Sequence, residues 1–309
     1  MNISRSIAVL AFLLTAKTVM AQQVPDDAFN LDIQSPAYSS GEGPVVCIDE
    51  AHNNFHTIDG GYKVFANLLR ADGYTAIGFA ENPTGSTLSG CGLLIISNAI
   101  AEENASDWSY PHYPAFTRSE ILALTTWIEQ GGKLLLIADH APMAGAVIGL
   151  GATVGILMAD AYADADGTNG NDIFSKSANT LHQHSITEGR NAGEMIDSIL
   201  TFTGQPVQVT PDWNPLMTYG PSAIGYFNSQ QTLPDFYKGR ISPFSVAGWT
   251  HGAAREFGQG RIVFLGEAAM CTAQLAGPDQ WKMGMNHPDA TQNAQFCLNV
   301  VHWLTGVIN

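Results

Sequence analysis

Charge is the first thing this chain lacks. Only 13% of its 309 residues are charged, and cations are scarcer still, with 13 Lys and Arg against 28 Asp and Glu. The net charge of −15 repels phosphate backbones and anionic lipid, so no nucleic-acid partner is expected. Low charge does not mark disorder here, because 45% of the residues are hydrophobic. The chain is long enough to bury a full core as one large domain or two small ones. Its four cysteines, Cys47, Cys91, Cys271 and Cys297, contain no C-x-x-C spacing, which argues against a thiolate zinc site. No G-x-S-x-G elbow occurs, so a standard α/β-hydrolase nucleophile is absent. Internal repeats are absent too. Asp164, Asp166, Asn169, Asn171 and Asp172 resemble a calcium loop but have no acid at the twelfth position, and read as a solvated turn.

Residues 1–21 have the form of a secretory signal. Arg5 gives a positive start, residues 7–14 are apolar, and Val19-Met20-Ala21 places small residues at the −3 and −1 positions. Cleavage before Gln22 removes Arg5 and Lys17 and no acid, taking the net charge from −15 to −17. An exported protein, periplasmic or secreted, is therefore expected. The apolar run is too short to span a bilayer, so no membrane span remains after cleavage. Export permits disulfides, and four cysteines allow three pairings. Cys271 follows the last strand and Cys297 lies in the closing helix, which makes them the expected bridge. Four buried thiols acting as small apolar residues are the alternative.

Past an extended, turn-rich lead-in at 22–43, a regular alternation begins. Strands are expected at 44–48, 74–79, 92–96 and 133–138. Helical spacing of Tyr62, Val64, Phe65, Leu68 and Leu69 predicts a helix over 60–71. Thr117 and Glu120 form a capping box for a second helix that runs to about Gln130. Residues 141–159 carry no charge, but Gly145, Gly149, Gly151 and Gly155 dilute them, and Pro142 suits a first turn. They read as a buried helix. From about 160 to 240 the pattern loosens into an irregular insertion, a lid or wall over the site. Within it, 195–203 reads as a strand or short helix and 206–209 as a strand. Strands at 245–250 and 261–265, around Gly258-Gln259-Gly260, and an amphipathic helix over 290–304 close the chain. The expected fold is α/β, an open, mainly parallel sheet with helices on both faces, in one domain over 44–309.

Four apolar runs end on acidic, histidine or amide residues. These are the segment from Asp49 and Glu50 to His52 and His56, then Ser97-Asn98, Asp139-His140 and Gly266-Glu267. In an open α/β sheet, ligands bind outside the carboxyl ends of the strands, so these residues mark the expected site. His52 and His56 are spaced i, i+4, and with Asp49 they could hold one zinc-like divalent ion. The alternative is a hydrogen-bonded network that ties the loops down. A metal would lower the pKa of a bound water, with Glu50 or Asp139 taking the proton. Without one, His140 or His52 acts as general base, and Ser97 is the best-placed hydroxyl. Asn98, His251, Glu267 and His287, with Asn286, are expected around the rim. His112, His182 and His302 read as ordinary surface or packing residues. Aromatic loop residues including Trp108, Tyr110, Tyr113, Trp213, Tyr219, Tyr226 and Trp249 suit stacking against a sugar or against one another.

The segments Val45-Val46-Cys47-Ile48-Asp49-Glu50, Leu93-Leu94-Ile95-Ile96-Ser97 and Gly132 to Ala138, together with His184 to Gly189 and Gly260 to Glu267, carry a resemblance. The closing Asn293-Ala294-Gln295-Phe296 into Leu304 shares it. The chain resembles the class I glutamine-amidotransferase-like superfamily, in its flavodoxin-like branch, and most of all the ThuA-like group and exported members. Amidotransferases of that superfamily place a nucleophilic Cys on the turn after the strand matching 134–138. This chain has Asp139-His140 there, so the resemblance does not imply Cys-dependent glutaminase chemistry. Related modules in gliding-motility and intraflagellar-transport proteins bind partners, which implies a second possibility. The two expectations are an exported hydrolase of a small polar or carbohydrate-derived substrate and a non-catalytic ligand- or partner-binding module.

Overall fold

The computed structural model describes residues 23–165, 171–227 and 243–309. The secretory segment expected at 1–21 lies outside them, as do Asp166 and Asn169 of the calcium-like loop. Nine strands form the main sheet. They are β1 Val45–Asp49, β2 Thr75–Phe79, β3 Leu93–Ser97, β4 Lys133–Ile137, β5 Ile156–Met158, β6 Val207–Val209, β7 Asn214–Thr218, β8 Thr250–Phe257 and β9 Gly260–Leu265. Their order is β2-β1-β3-β4-β9-β8-β6-β5, with β7 also paired to β8. The first five in that order run parallel. The others join antiparallel. The described helices are α1 Lys63–Ala71, α2 Arg118–Glu129, α3 Met143–Thr153, the short α4 Ser185–Glu188 and α5 Asn293–Thr305.

Strands buried on both sides need unbroken apolar runs, and β1, β3 and β4 supply them. Alternate residues then go to different cores. Val46, Ile48, Leu93, Ile95, Leu135 and Val263 share a cluster with Phe65 and Leu69 of α1 and Phe296 and Val300 of α5. Cys47, Leu94, Ile96, Leu134, Leu136 and Phe264 share another with Leu124 and Ile128 of α2 and Val147 and Leu150 of α3. Strand order reverses between β1 and β3, so their carboxyl ends border the crevice where this architecture receives ligands.

Three elements differ from expectation. The glycine-rich run is helical only over Met143–Thr153, because Gly155 sits at φ +85° and turns the chain into β5. The strand expected at 245–250 is instead β8, Thr250–Phe257, which forms the hairpin with β9 in continuous register. Within the stretch expected as an irregular wall, the strand expected at 206–209 is found as β6, and β7 joins the main sheet where no strand was expected. The lead-in is also partly regular, since Gln23–Pro25 pairs with Ala273–Ala276.

Two disulfides are formed. Cys271–Cys297 joins the turn after β9 to α5, and Cys47–Cys91 joins β1 to the turn before β3. Among the described residues, no helix is long and apolar enough to cross a membrane.

Candidate functional site

The turn after β1 is organised around a buried imidazole. His52 Nδ1 lies 2.9 Å from Asp49 Oδ2, and since a carboxylate only accepts, Nδ1 carries the proton. The ring stacks on Phe116 with centroids 3.9 Å apart. On its far side, Nε2 is 3.7 Å from Glu120 Oε1. Glu120 also completes the α2 capping box, its Oε2 accepting from the Thr117 backbone N–H at 2.7 Å. His52 thus sits between two carboxylates and ties the β1 turn to the start of α2. Glu50 is a tie as well, accepting from the Ile58 N–H at 2.8 Å. A Cβ on Gly78 would meet Glu50 Oε2 at 2.6 Å, so glycine there gives the carboxylate its room.

Asn98, at the end of β3, is the hub of the second layer. Its Oδ1 accepts from the Asp139 N–H at 2.9 Å, and its Nδ2 lies 3.4 Å from His56 Nδ1. Asp139 Oδ1 accepts from the His140 N–H and from Thr203 Oγ1, each at 2.9 Å. His56 is buried against Tyr62, whose ring centroid lies 5.0 Å away. Burial pushes the His56 imidazole down to about 4, with Asp139 pulling the other way. Ser97 is fully buried, and its Oγ donates to the Tyr62 hydroxyl at 3.0 Å. Burial drives that phenol far above its ordinary range. Glu267, also fully buried, accepts from the Ala269 and Met270 N–H groups at 2.6 and 2.8 Å. Burial, with Asp139 second, raises its carboxyl well above the usual range. His251, on β8, faces the Tyr219 hydroxyl at 2.7 Å and is pushed down to about 3 by burial.

His140 differs from these buried groups. It is half-buried, and its Nδ1 donates to the Ala141 carbonyl at 2.8 Å, which leaves Nε2 as the basic nitrogen. No described residue hydrogen-bonds that Nε2. The ring stacks on Tyr162 with centroids 3.9 Å apart and planes 19° apart. Tyr162 stacks in turn on Tyr226 at 5.5 Å. Trp108, tilted by 58° to the imidazole, stands 6.5 Å from His140 and 5.8 Å from Phe55, which is 37% exposed. A run of five rings therefore crosses the carboxyl edge of the sheet with the imidazole in its middle.

The structure thus gathers Asp49 and His52 with Glu120 on one side, and His56, Asn98, Asp139 and His140 on the other. It keeps His287 apart, in a turn where Nδ1 accepts from the Asp289 N–H. Asn286 is a structural tie, its Nδ2 donating to Asp26 and to the Gln274 carbonyl at 2.9 Å each. His112, His182 and His302 pair with Asp160, Thr218 and Asp72 respectively. Among the described residues, no three His, Cys, Asp or Glu are grouped to hold a metal ion. His52 turns Nδ1 to Asp49 and His56 turns Nδ1 toward Asn98, so the two rings are anchored to different partners. Sequence reasoning missed Glu120 as a partner of His52, because its capping role already accounted for it. Tyr62 and Thr203 were missed because one sits in a helical pattern and the other in a weakly patterned stretch.

No family model and no curated protein matches this chain. Solved structures do resemble it. The mmIFT52 N-terminal domain is similar at 14% identity over 84% of this chain and 97% of that one, with a TM-score of 0.57. A cytoplasmic protein from Salmonella typhimurium LT2 is similar at 12% identity over 84% and 98%, with a TM-score of 0.50. A protein described as ThuA-like from Bacteroides uniformis is similar at 11% identity over 89% and 94%, at a TM-score of 0.42. The first two likenesses establish a shared fold and nothing finer.

Proposed function

We propose that the chain is an exported hydrolase of a small polar or carbohydrate-derived substrate, with His140 as its general base. The observation that carries this is the half-buried imidazole, fixed in one tautomer, stacked on Tyr162 and flanked by Trp108. In this scheme His140 Nε2 takes a proton from water as the water oxygen bonds to the substrate's electrophilic carbon. The resulting imidazolium returns the proton to the leaving group as its bond breaks. A base-activated water fits better than a serine nucleophile, since the Ser97 hydroxyl is buried and bonded to Tyr62. Trp108 and the part-exposed Phe55 offer apolar ring surface beside the imidazole. Two disulfides support an oxidising compartment. The two apolar clusters, one with α1 and α5 and the other with α2 and α3, support a doubly wound sheet with helices on both faces, of the amidotransferase-like kind.

One observation favours a second reading, a binding module without chemistry. Asp49, Glu50, Ser97 and Glu267 all spend their polar atoms on neighbouring protein groups. A screen of chromogenic esters, amides and glycosides with His140→Gln as control separates the two. The hydrolase reading expects turnover that falls by about 10²–10⁴-fold in the variant. Ligand binding that perturbs Trp108 fluorescence, with no turnover of any substrate, would make it a binding module.

A further inference from the structure

We propose that the mature chain pairs with a second copy of itself through the outer face of α2, the two helices lying antiparallel across a two-fold axis. Two copies of so acidic a chain, −15 overall, can meet only where like charges are kept apart. The outer side of α2 offers such a face. Leu122 is 67% exposed there and borders a hollow of about 300 Å³ whose wall includes Ala123, Thr126 and Trp127. A knob and a hollow on one helix face suit a self-complementary interface, because a two-fold brings each knob to the other copy's hollow.

An apolar face alone does not name its occupant, but the charges on α2 do. Arg118 and Glu129 are the first and last residues of the helix. At 3.6 residues per turn they are separated by three turns and about 20°, so both side chains leave from one flank. Each stands against the helix dipole, a cation at the positive amino end and an anion at the negative carboxyl end. Both are exposed. Neither forms an ion pair among the described residues, although Lys63, Lys176, Arg190, Arg255 and Arg261 all do. An antiparallel second copy of α2 answers both charges at once. It sets Arg118 beside Glu129 of the second copy at one end and repeats that pair at the other, while each Leu122 enters the opposite hollow near Thr126. Any other occupant would need a matching pattern of its own, whereas a second copy supplies it by symmetry. One helix pair lies at the low end of the areas that support specific association, so monomer and dimer should exchange with a Kd on the order of micromolar.

Sedimentation velocity of the mature protein across the micromolar range tests this. Wild type should form a concentration-dependent dimer that weakens with salt. Arg118→Glu and Glu129→Arg each set like charges together at both ends and should weaken the dimer by about tenfold. Both should melt no lower than wild type, since each substitution brings its residue into accord with the helix dipole. The double reversal should restore the dimer. An equimolar mixture of the two single variants should do the same, because every end contact in the mixed dimer is again between opposite charges. Leu122→Lys, at an exposed position, should melt like wild type and stay monomeric. A wild-type monomer at every concentration overturns the inference, as does a dimer that Leu122→Lys and both reversals leave unchanged. Weakening by each reversal with no recovery in the mixture overturns the antiparallel arrangement and the inference with it.

Discussion

Asn98 holds a φ of 49°, a backbone region that asparagine tolerates better than most residues. That bend lets one side chain reach both His56 and the Asp139 backbone, so the buried histidines inherit fixed surroundings. Burial depresses His56 to about 4 and His251 to about 3, and an unfolded chain would bind protons at both below about 6.5. Their contribution to stability is present above 6.5 and is lost as pH falls toward those values. Glu267 acts oppositely. Its raised carboxyl stabilises the fold below its unfolded value near 4.5 and loses that contribution as pH rises through its folded value. Between about pH 4.5 and 6.5 the two histidines weaken the fold on acidification while Glu267 opposes them. The loss should therefore stay below the roughly 2.7 kcal/mol per pH unit that two histidines alone would give. Urea midpoints at pH 7.0 and 5.5, with His251→Gln as comparison, measure this. A variant with the same pH slope as wild type would show that the histidines do not set it.

The parallel strands of the main sheet could be read directly, because β1, β3 and β4 are unbroken apolar runs that end at polar residues. Their carboxyl ends located the candidate site for the same reason. Elements defined by tertiary partners were harder to read. The end of α3 depends on one glycine's backbone, and β8 depends on pairing with β9 rather than on its own alternation. Helix α2 was legible in its cap but not in its reach. The Thr117–Glu120 box stands in the sequence, whereas the 3.7 Å approach of Glu120 to His52 requires the fold. These two roles can be separated. Thr117→Ala removes the cap hydroxyl and should cost about 1 kcal/mol. Glu120→Gln keeps a cap acceptor but loses the charge beside His52, and should cost less than Thr117→Ala in wild type and nothing further in a His52→Leu background. Denaturant unfolding of wild type, Glu120→Gln, His52→Leu and their double variant gives the coupling. Additive losses would mean that Glu120 serves only as a cap.

At the scale of the whole molecule, the two disulfides do different jobs on the same principle. Cys47–Cys91 closes a span of 44 residues around β2 and the β1 turn, and Cys271–Cys297 closes 26 residues around the start of α5. In the chain-entropy account each removes about 3.5–4 kcal/mol of freedom from the unfolded chain. The first also pins β1 to the turn before β3, the strands that flank the crevice. Its loss should reach the site, whereas loss of the second should act mainly on the packing of α5. Cys47→Ala with Cys91→Ala should therefore lower stability by about 4 kcal/mol and weaken ligand binding measured through Trp108 fluorescence. Cys271→Ala with Cys297→Ala should lower stability by a similar amount and leave that binding intact. Equal loss of binding in both pairs would show that the crevice depends on global stability rather than on the β1–β3 link. The switch point would then be a consequence of the core and not of its staple.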